Sequence, residues 1–133
     1  NDDKSMYLLG SANKFVTGLM LRELEEQGVI NINDNVNKYI PNFQNVYPIT
    51  IKDLMLHRSG LAKANFPPTV KGLNGAIERI KFNGVVPQNY HKYFYNDANY
   101  ITIAKVIENA THKSFKQNLN ELIIKKVHFF SLL

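Results

Sequence analysis

The amino-acid sequence predicts a mainly α-helical domain, and three observations lead to this expectation. Apolar residues recur at helical spacing through most of the 133-residue chain, whereas only residues 6–9 and 46–51 resemble short strands. The apolar fraction of 44% is ordinary for a globular protein and sufficient for a hydrophobic core. Cysteine is absent, which excludes disulfides, thiolate metal sites and a cysteine nucleophile.

The strongest helical pattern runs from about residue 12 to residue 27. Its apolar residues recur at helical spacing and form one face: Phe15, Val16, Leu19, Met20 and Leu24. The charged residues of the segment fall largely on the other face. Gly28 is typical of the residue that ends a helix. We therefore expect an amphipathic helix in this segment.

Two short helices are expected in the next part of the chain. The dipeptide at residues 33–34, Asn-Asp, can cap a helical stretch that ends before Pro41. Thr50 and Asp53 have the spacing of a capping box, in which each residue binds a free backbone N–H of the other. That box would begin a helix over residues 51–57.

Three further helices are predicted in the second half. In-phase apolar residues predict helices over residues 70–82 and 98–110. Asn99 and Tyr100 are expected to cap and pack the second of these. Ser114 can cap a final helix. The apolar face of that helix would consist of Leu119, Leu122, Ile123 and Val127.

The net charge of +5 is scattered along the chain and forms no Arg-rich stripe. Aromatic and basic residues alternate over residues 90–95, as they do on surfaces that bind single-stranded nucleic acid. No nucleic-acid motif accompanies them, so we interpret these rings as core or cleft wall and expect no nucleic-acid partner. The four histidines lack metal-ligand spacing, so neither a metal nor a cofactor is expected. No apolar run is long enough for a membrane span, and no signal peptide is expected in this chain.

Ser11 and Lys14 form an S-x-x-K tetrad at the start of the first predicted helix. Three residues along an α-helix place both on one face, about 4.5 Å apart along the axis. A lysine kept neutral by burial can take the proton of the serine hydroxyl, and the N–H groups of the helix N-terminus favour a developing anion. On this motif alone, the alternative of an ordinary N-capping serine stays open.

Further motifs follow the tetrad in a fixed order. They are Phe15-Val16-Thr17-Gly18, Leu54-Met55-Leu56-His57-Arg58-Ser59-Gly60-Leu61 and Tyr95-Asn96-Asp97-Ala98. In this order the chain resembles the beta-lactamase-related serine hydrolases, which include class C beta-lactamases, D-alanyl-D-alanine carboxypeptidases and penicillin-binding-protein-like esterases. It is most similar to the staphylococcal members that act as D-alanyl esterases on teichoic acids. The similarity extends from about Leu8 to His128.

The resemblance implies roles for four residues. Ser11 would be the acylated nucleophile, and Lys14 would be the base that activates it. Tyr95 matches the tyrosine of the second family motif, which moves a proton between nucleophile and leaving group, and Asp97 stands where members have Asn or Asp. His57 lies in the matching His-Arg-Ser-Gly-Leu turn. It is expected to be a hydrogen-bonded turn residue and not the base.

The resemblance also implies a fold larger than this chain. The family has an antiparallel sheet beside a helical subdomain. Most of that sheet is expected to be missing, together with a third family motif, Lys-Thr-Gly or His-x-Gly. We therefore interpret residues 1–133 as a single partial beta-lactamase-like domain, truncated before the third motif. Without the sheet, Lys14 is expected to be hydrated and protonated. Whether the chain acts as an enzyme by itself is left open, and little or no turnover is expected.

The implied partner is a D-alanyl cell-wall substrate, or a beta-lactam when the full site is present. The implied location is the extracellular or cell-envelope side of a bacterium. An apolar surface without its sheet predicts self-association. The alternative to a hydrolase is a non-catalytic helical remnant that binds or self-associates.

Overall fold

The computed structural model describes residues 10–66, 70–124 and 131, and it describes side chains from residue 14 onward. Within these ranges the chain forms five α-helices: α1 (Gly10–Glu26), α2 (Ile51–Met55), α3 (Gly72–Asn83), α4 (Asp97–Thr111) and α5 (Phe115–Leu119). Short 3-10 helices lie at Val36–Lys38 and Pro87–Asn89, and a π-helical turn at Asn120–Ile124 continues α5. The expectation of a mainly α-helical domain is confirmed.

No β-strand occurs within the described ranges, so the strand candidate over residues 46–51 does not form a strand. This segment makes one isolated antiparallel bridge, between Asn35 and Thr50. The physical reason is that Thr50 caps α2, so the chain turns into a helix before a ladder can extend. The other strand candidate, residues 6–9, lies outside the described residues.

Local capping explains where the short helices begin. The predicted capping box is confirmed, because the Asp53 N–H donates to Thr50 Oγ1 (3.1 Å) and the Thr50 N–H donates to Asp53 Oδ2 (3.0 Å). The cap predicted at residues 33–34 is wrong, since Asn35 caps the 3-10 helix there. Asp34 instead accepts a hydrogen bond from the Tyr39 hydroxyl (2.9 Å).

The helices predicted in the second half are confirmed within two residues at each end for α3 and α4. Ser114 caps α5 as expected, with its hydroxyl accepting from the Gln117 N–H at 3.0 Å. Within the described residues, the final helix passes into a π-helical turn at Asn120–Ile124. Val127 of its predicted apolar face lies outside the described residues.

Helix α4 is the centre of the packing, and α1, α2, α3 and α5 all contact it. Its apolar side is fully buried in the hydrophobic core. The α4 residues of the core are Ala98, Ile103, Ala104, Val106 and Ile107. Because α4 begins at Asp97, directly after Tyr95 and Asn96, its N-terminus brings the second sequence motif against α1.

The apolar face predicted for α1 is divided in two. Met20 and Leu24 are buried in the core, and Val16 packs against it. Phe15 and Leu19 are instead 71% and 39% exposed. One residue corresponds to about 100° around a helix, so the two rows point in different directions. The exposed row agrees with the expectation of an uncovered apolar surface.

Candidate active site

Lys14 is the side chain of α1 that meets the second motif. Its Nζ lies 2.6 Å from Asp97 Oδ1 and also donates a hydrogen bond to the Tyr95 hydroxyl. Nζ is 4.3 Å from the centroid of the Tyr95 ring and lies at the hydroxyl end of that ring. Residues 81 positions apart in the sequence therefore form one polar cluster, which contains three of the four predicted site residues.

Ser11 is placed by the structure only through its backbone. It lies in the first turn of α1, three residues before Lys14, so the tetrad is on one helix as the sequence predicts. Its side chain lies outside the described residues. That the Ser11 hydroxyl lies next to the Lys14–Tyr95–Asp97 cluster therefore stays a prediction.

The Lys14 side chain is 19% exposed in this chain, and its ammonium group is held by the two partners. Burial by itself lowers the pKa of Lys14, but hydrogen bonds and charge interactions with Asp97 and Tyr95 outweigh it, and the net effect raises the pKa. Lys14 is therefore protonated at neutral pH, as expected. The raised pKa results from the ion pair with Asp97 together with the hydrogen bond to Tyr95.

Tyr95 and Asp97 are both more than half exposed. Tyr95 is 54% exposed, and the Asp97 side chain is 56% exposed. Asp97 is the first residue of α4, where the N-terminal end of the helix dipole favours a carboxylate. The cluster is thus open to a ligand from the solvent side.

Beneath Tyr95 lies His57, at the end of the turn that follows α2. The His57 backbone is left-handed (φ 55°), and its ring stacks on the Tyr95 ring with centroids 4.6 Å apart. Its Nδ1 accepts a hydrogen bond from the Asn96 N–H (3.1 Å). This agrees with the prediction of a hydrogen-bonded turn histidine.

A buried polar network continues from His57 into α4. The Asn99 amide lies 3.0 Å from His57 Nδ1, and its Oδ1 accepts from the Ser59 hydroxyl (2.5 Å). Asn96 caps α4 by accepting from the Ala98 N–H (3.1 Å). All buried polar side-chain atoms in the described part of the chain have a hydrogen-bond partner.

Gly60 permits the close approach that holds this turn. Its φ is +78°, and a Cβ at this position would lie 2.7 Å from the Cα of Tyr90. The Gly60 carbonyl accepts from the Val86 N–H (2.7 Å), and Leu61 forms a bridge with Val85. Residues 57–61 are therefore fixed between α2 and the segment that leads to Tyr95.

Sequence reasoning missed the parts played by two asparagines. Asn99 was expected to cap α4, whereas Asn96 is the cap and Asn99 lies buried inside the first turn. Their spacing of three residues is a visible signal, but nothing in the sequence indicates that their partners lie 32 to 42 residues earlier.

The rings of Tyr93 and Phe94 are exposed, so they do not belong to the core.

The described residues contain neither a metal-binding cluster nor a membrane-spanning helix. Among the described residues, no group of three or more acidic or histidine side chains is arranged to hold a metal ion. None of the described helices is both long and apolar enough to cross a membrane.

A known protein family and a curated relative both match most of this chain. The family described as Beta-lactamase matches residues 1–130 of the chain. The teichoic acid D-alanine hydrolase of Staphylococcus aureus strain MRSA252 is 51% identical over 118 residues. The matched segment is 89% of this chain and 30% of the relative, so the chain spans less than a third of that protein's length.

Solved structures share the fold. The crystal structure of FmtA from Staphylococcus aureus matches with a TM-score of 0.83 and 50% identity, over 86% of this chain and 32% of that one. A D-stereospecific amidohydrolase from Streptomyces matches with a TM-score of 0.75 and 19% identity, over 90% and 42% of the two chains. An octameric penicillin-binding protein homologue from Pyrococcus abyssi matches with a TM-score of 0.71 and 21% identity, over 85% of this chain and 29% of that one. At such low identity the last two show the fold alone.

Proposed function

Because this chain belongs to the beta-lactamase family, we propose that it carries the nucleophile of a serine hydrolase that removes D-alanyl groups from teichoic acid. The contact of Lys14 with both Tyr95 and Asp97 is the observation that carries this proposal. The name of the 51% identical relative supports the substrate. On this proposal, residues 1–133 form one partial beta-lactamase-like domain that acts at the cell envelope.

The proposed reaction has two stages. The Ser11 hydroxyl attacks the carbonyl of the D-alanyl ester, its proton passes to the Lys14–Tyr95 pair, and the pair returns that proton to the polymer hydroxyl that leaves. D-alanine then remains as an ester on Ser11. Water, activated by the same pair, hydrolyses that ester and regenerates the serine.

Proton transfer through the pair sets a condition on its charge. In the structure Lys14 is an ammonium that donates to the Tyr95 oxygen and pairs with Asp97. The pair must therefore hold one proton fewer before it can accept the proton of Ser11. Asp97 stabilises the ammonium formed when the proton arrives, so its proposed role is to favour the state that follows attack.

Residues 1–133 by themselves are expected to give little or no turnover. The chain spans 30% of the length of its 51% identical relative, and the family's third motif is not found in its sequence. By the family resemblance, a strand of the missing sheet would supply one backbone N–H of the oxyanion hole. Loss of a single such donor typically costs about 2.7–4 kcal/mol of transition-state stabilisation. A beta-lactam is the other expected acylating substrate, under the same limitation.

The experiment is covalent labelling read by intact mass. The folded protein is incubated with a fluorescent penicillin and with a fluorophosphonate, alongside Ser11→Ala and the control Ser114→Ala. Ser114 is also a serine at a helix N-terminus, but it caps α5 by accepting from the Gln117 N–H. We expect a slow fluorophosphonate adduct that Ser11→Ala abolishes and Ser114→Ala retains.

Two results would contradict the proposal. An adduct that persists in Ser11→Ala would show that Ser11 is not the nucleophile. The absence of any adduct on the folded chain would favour the alternative, a non-catalytic helical element that binds or self-associates. That alternative has its own support in the exposed rings and methyl groups of Phe15 and Leu19.

A further inference from the structure

Tyr95 is held on both sides by one residue, His57. The His57 carbonyl accepts from the Phe94 N–H (2.8 Å), and His57 Nδ1 accepts from the Asn96 N–H (3.1 Å). The imidazole stacks on the ring of Tyr95 itself, with 26° between the ring planes. Three consecutive residues, Phe94, Tyr95 and Asn96, are therefore fixed against the same histidine.

His57 has little freedom to move. It is buried, and its left-handed backbone sits in the turn that Gly60 holds in place. The Asn99 amide lies 3.0 Å from the same Nδ1, and the Asn99 oxygen is already occupied by the Ser59 hydroxyl. Because its oxygen faces Ser59, Asn99 presents its NH₂ group to the imidazole.

The hydrogen bonds fix the protonation state of the imidazole. The Asn96 N–H is a backbone donor, so Nδ1 must be the acceptor and the ring proton must lie on Nε2. With the Asn99 NH₂ also facing Nδ1, a proton on that atom would oppose two N–H groups. The neutral Nε2–H tautomer alone satisfies this arrangement.

We propose that His57 is the positioning residue of Tyr95, and that it holds the Tyr95 segment only while its imidazole is neutral. The proposal rests on the proposed function, in which Tyr95 moves the proton of Ser11. Protonation of His57 would break the bond to the Asn96 N–H and release the segment. Acid would thereby disorder the proton-transfer side of the site before it disturbed the core.

The groups that face His57 act on its titration from several elements. Lys14 reaches it from α1, Asp97 and Tyr100 from α4, and Tyr93 and Tyr95 from the segment before α4. Burial lowers the pKa of His57, the Lys14 charge lowers it further, and Asp97 acts in the opposite direction. The neutral form is therefore favoured at neutral pH.

The test is a pH titration of the folded chain by NMR, from pH 8 to pH 4. We expect the ¹⁵N signals of His57 to show a proton on Nε2 and none on Nδ1 at pH 8. As pH falls below about 6.5, the Tyr95 ring signals and the Asn96 amide signal should shift together, with the midpoint of His57. Nuclear Overhauser contacts between the His57 and Tyr95 rings should be lost at the same midpoint, whereas a histidine that only packs against Tyr95 would keep them.

A matched pair of variants separates the effect from general destabilisation. His57→Asn keeps an acceptor and a residue type that tolerates positive φ, but it removes the ring that titrates. We expect it to abolish the pH-dependent shift of Tyr95. His91→Asn is the control, because His91 also has a positive φ (63°) and also stacks on a tyrosine, Tyr90. It should leave the pH-dependent shift of the Tyr95 signals unchanged.

The outcomes distinguish this proposal from the proposed function. Tyr95 signals that ignore the His57 titration, or a His57 proton on Nδ1 at pH 8, would overturn the positioning role. Tyr95 signals that still titrate in His57→Asn would also overturn it. Failure of Ser11 labelling together with the shared midpoint would overturn the hydrolase function alone, because the NMR readout does not need activity.

Discussion

The two sides of the candidate site are held in different ways. On the Tyr95 side, buried polar groups of the turn after α2 and of the first turn of α4 bind one another, and Gly60 locks that turn against Tyr90. On the α1 side, Lys14 reaches across to Asp97 and Tyr95, while its neighbour Phe15 is 71% exposed.

This difference indicates which side of the site is preorganised by contacts within this chain. Removing one partner from a buried hydrogen-bond network costs about 1–3 kcal/mol, because the other partner stays unsatisfied. An ion pair with an exposed member is typically worth about 0–1 kcal/mol. The Tyr95 side is thus preorganised, whereas the first turns of α1 rest on a weaker contact and leave apolar surface open.

The largest expected effect comes from breaking the Tyr95 side at Gly60. A Cβ in Gly60→Ala would collide with the Tyr90 backbone at 2.7 Å, in addition to the strain of a positive φ. Backbone strain of this kind typically costs about 1–3 kcal/mol. We expect Gly60→Ala to lower the free energy of unfolding by clearly more than this, as measured by urea unfolding.

Gly28→Ala is the matched control for that substitution. Gly28 has nearly the same φ, +77°, but a Cβ there would meet no atom within 4 Å. It should therefore show the strain alone. Equal losses of stability in the two variants would mean that the close contact between Gly60 and Tyr90 does not hold the turn.

A smaller effect is expected from changing the exposed row of α1. Phe15→Ser should reduce self-association, measured by gel filtration with light scattering, because it removes the most exposed ring of that helix. Its unfolding free energy should change by no more than about 0.5 kcal/mol. Phe82→Ser is the control, since Phe82 is also an exposed ring (80%) but lies on α3. It should leave self-association unchanged. A chain that is monomeric at high concentration before any substitution would contradict the prediction.

The sequence predicts the features whose signal is local. Thr50 and Asp53 cap each other across three residues, and Ser114 caps α5 through its own neighbours, so their patterns are visible without the fold. The order of motifs, through the family resemblance, also predicts that Lys14, Tyr95 and Asp97 belong to one site. Their contact in the structure agrees with that grouping, while the roles assigned to them stay predictions.

Features that depend on distant partners could not be predicted in the same way. The helical pattern placed Phe15 beside Val16 on one apolar face, but it cannot say which row the rest of the fold will cover. Asn99 was assigned to a cap because asparagine favours helix ends. Its actual partners, His57 and Ser59, are about forty residues away and are identified only by packing.

The most direct test of the account is the pKa of Lys14, measured by NMR of its ε-CH₂ group in the wild type and in Asp97→Asn. We predict a wild-type pKa above the ordinary 10.5 and a lower one in Asp97→Asn, because the ion pair then no longer offsets burial. Since folding raises this pKa, its contribution to stability is present below pH 10.5 and is lost as pH rises through the folded value.

Asp34→Asn is the control, because Asp34 raises the pKa of Lys38 in an exposed pair on the same molecule. It should lower the pKa of Lys38 and leave that of Lys14 unchanged. A wild-type Lys14 pKa below 10.5, or one that ignores Asp97→Asn, would contradict the claim that Lys14 joins α1 to the Tyr95 side of the site.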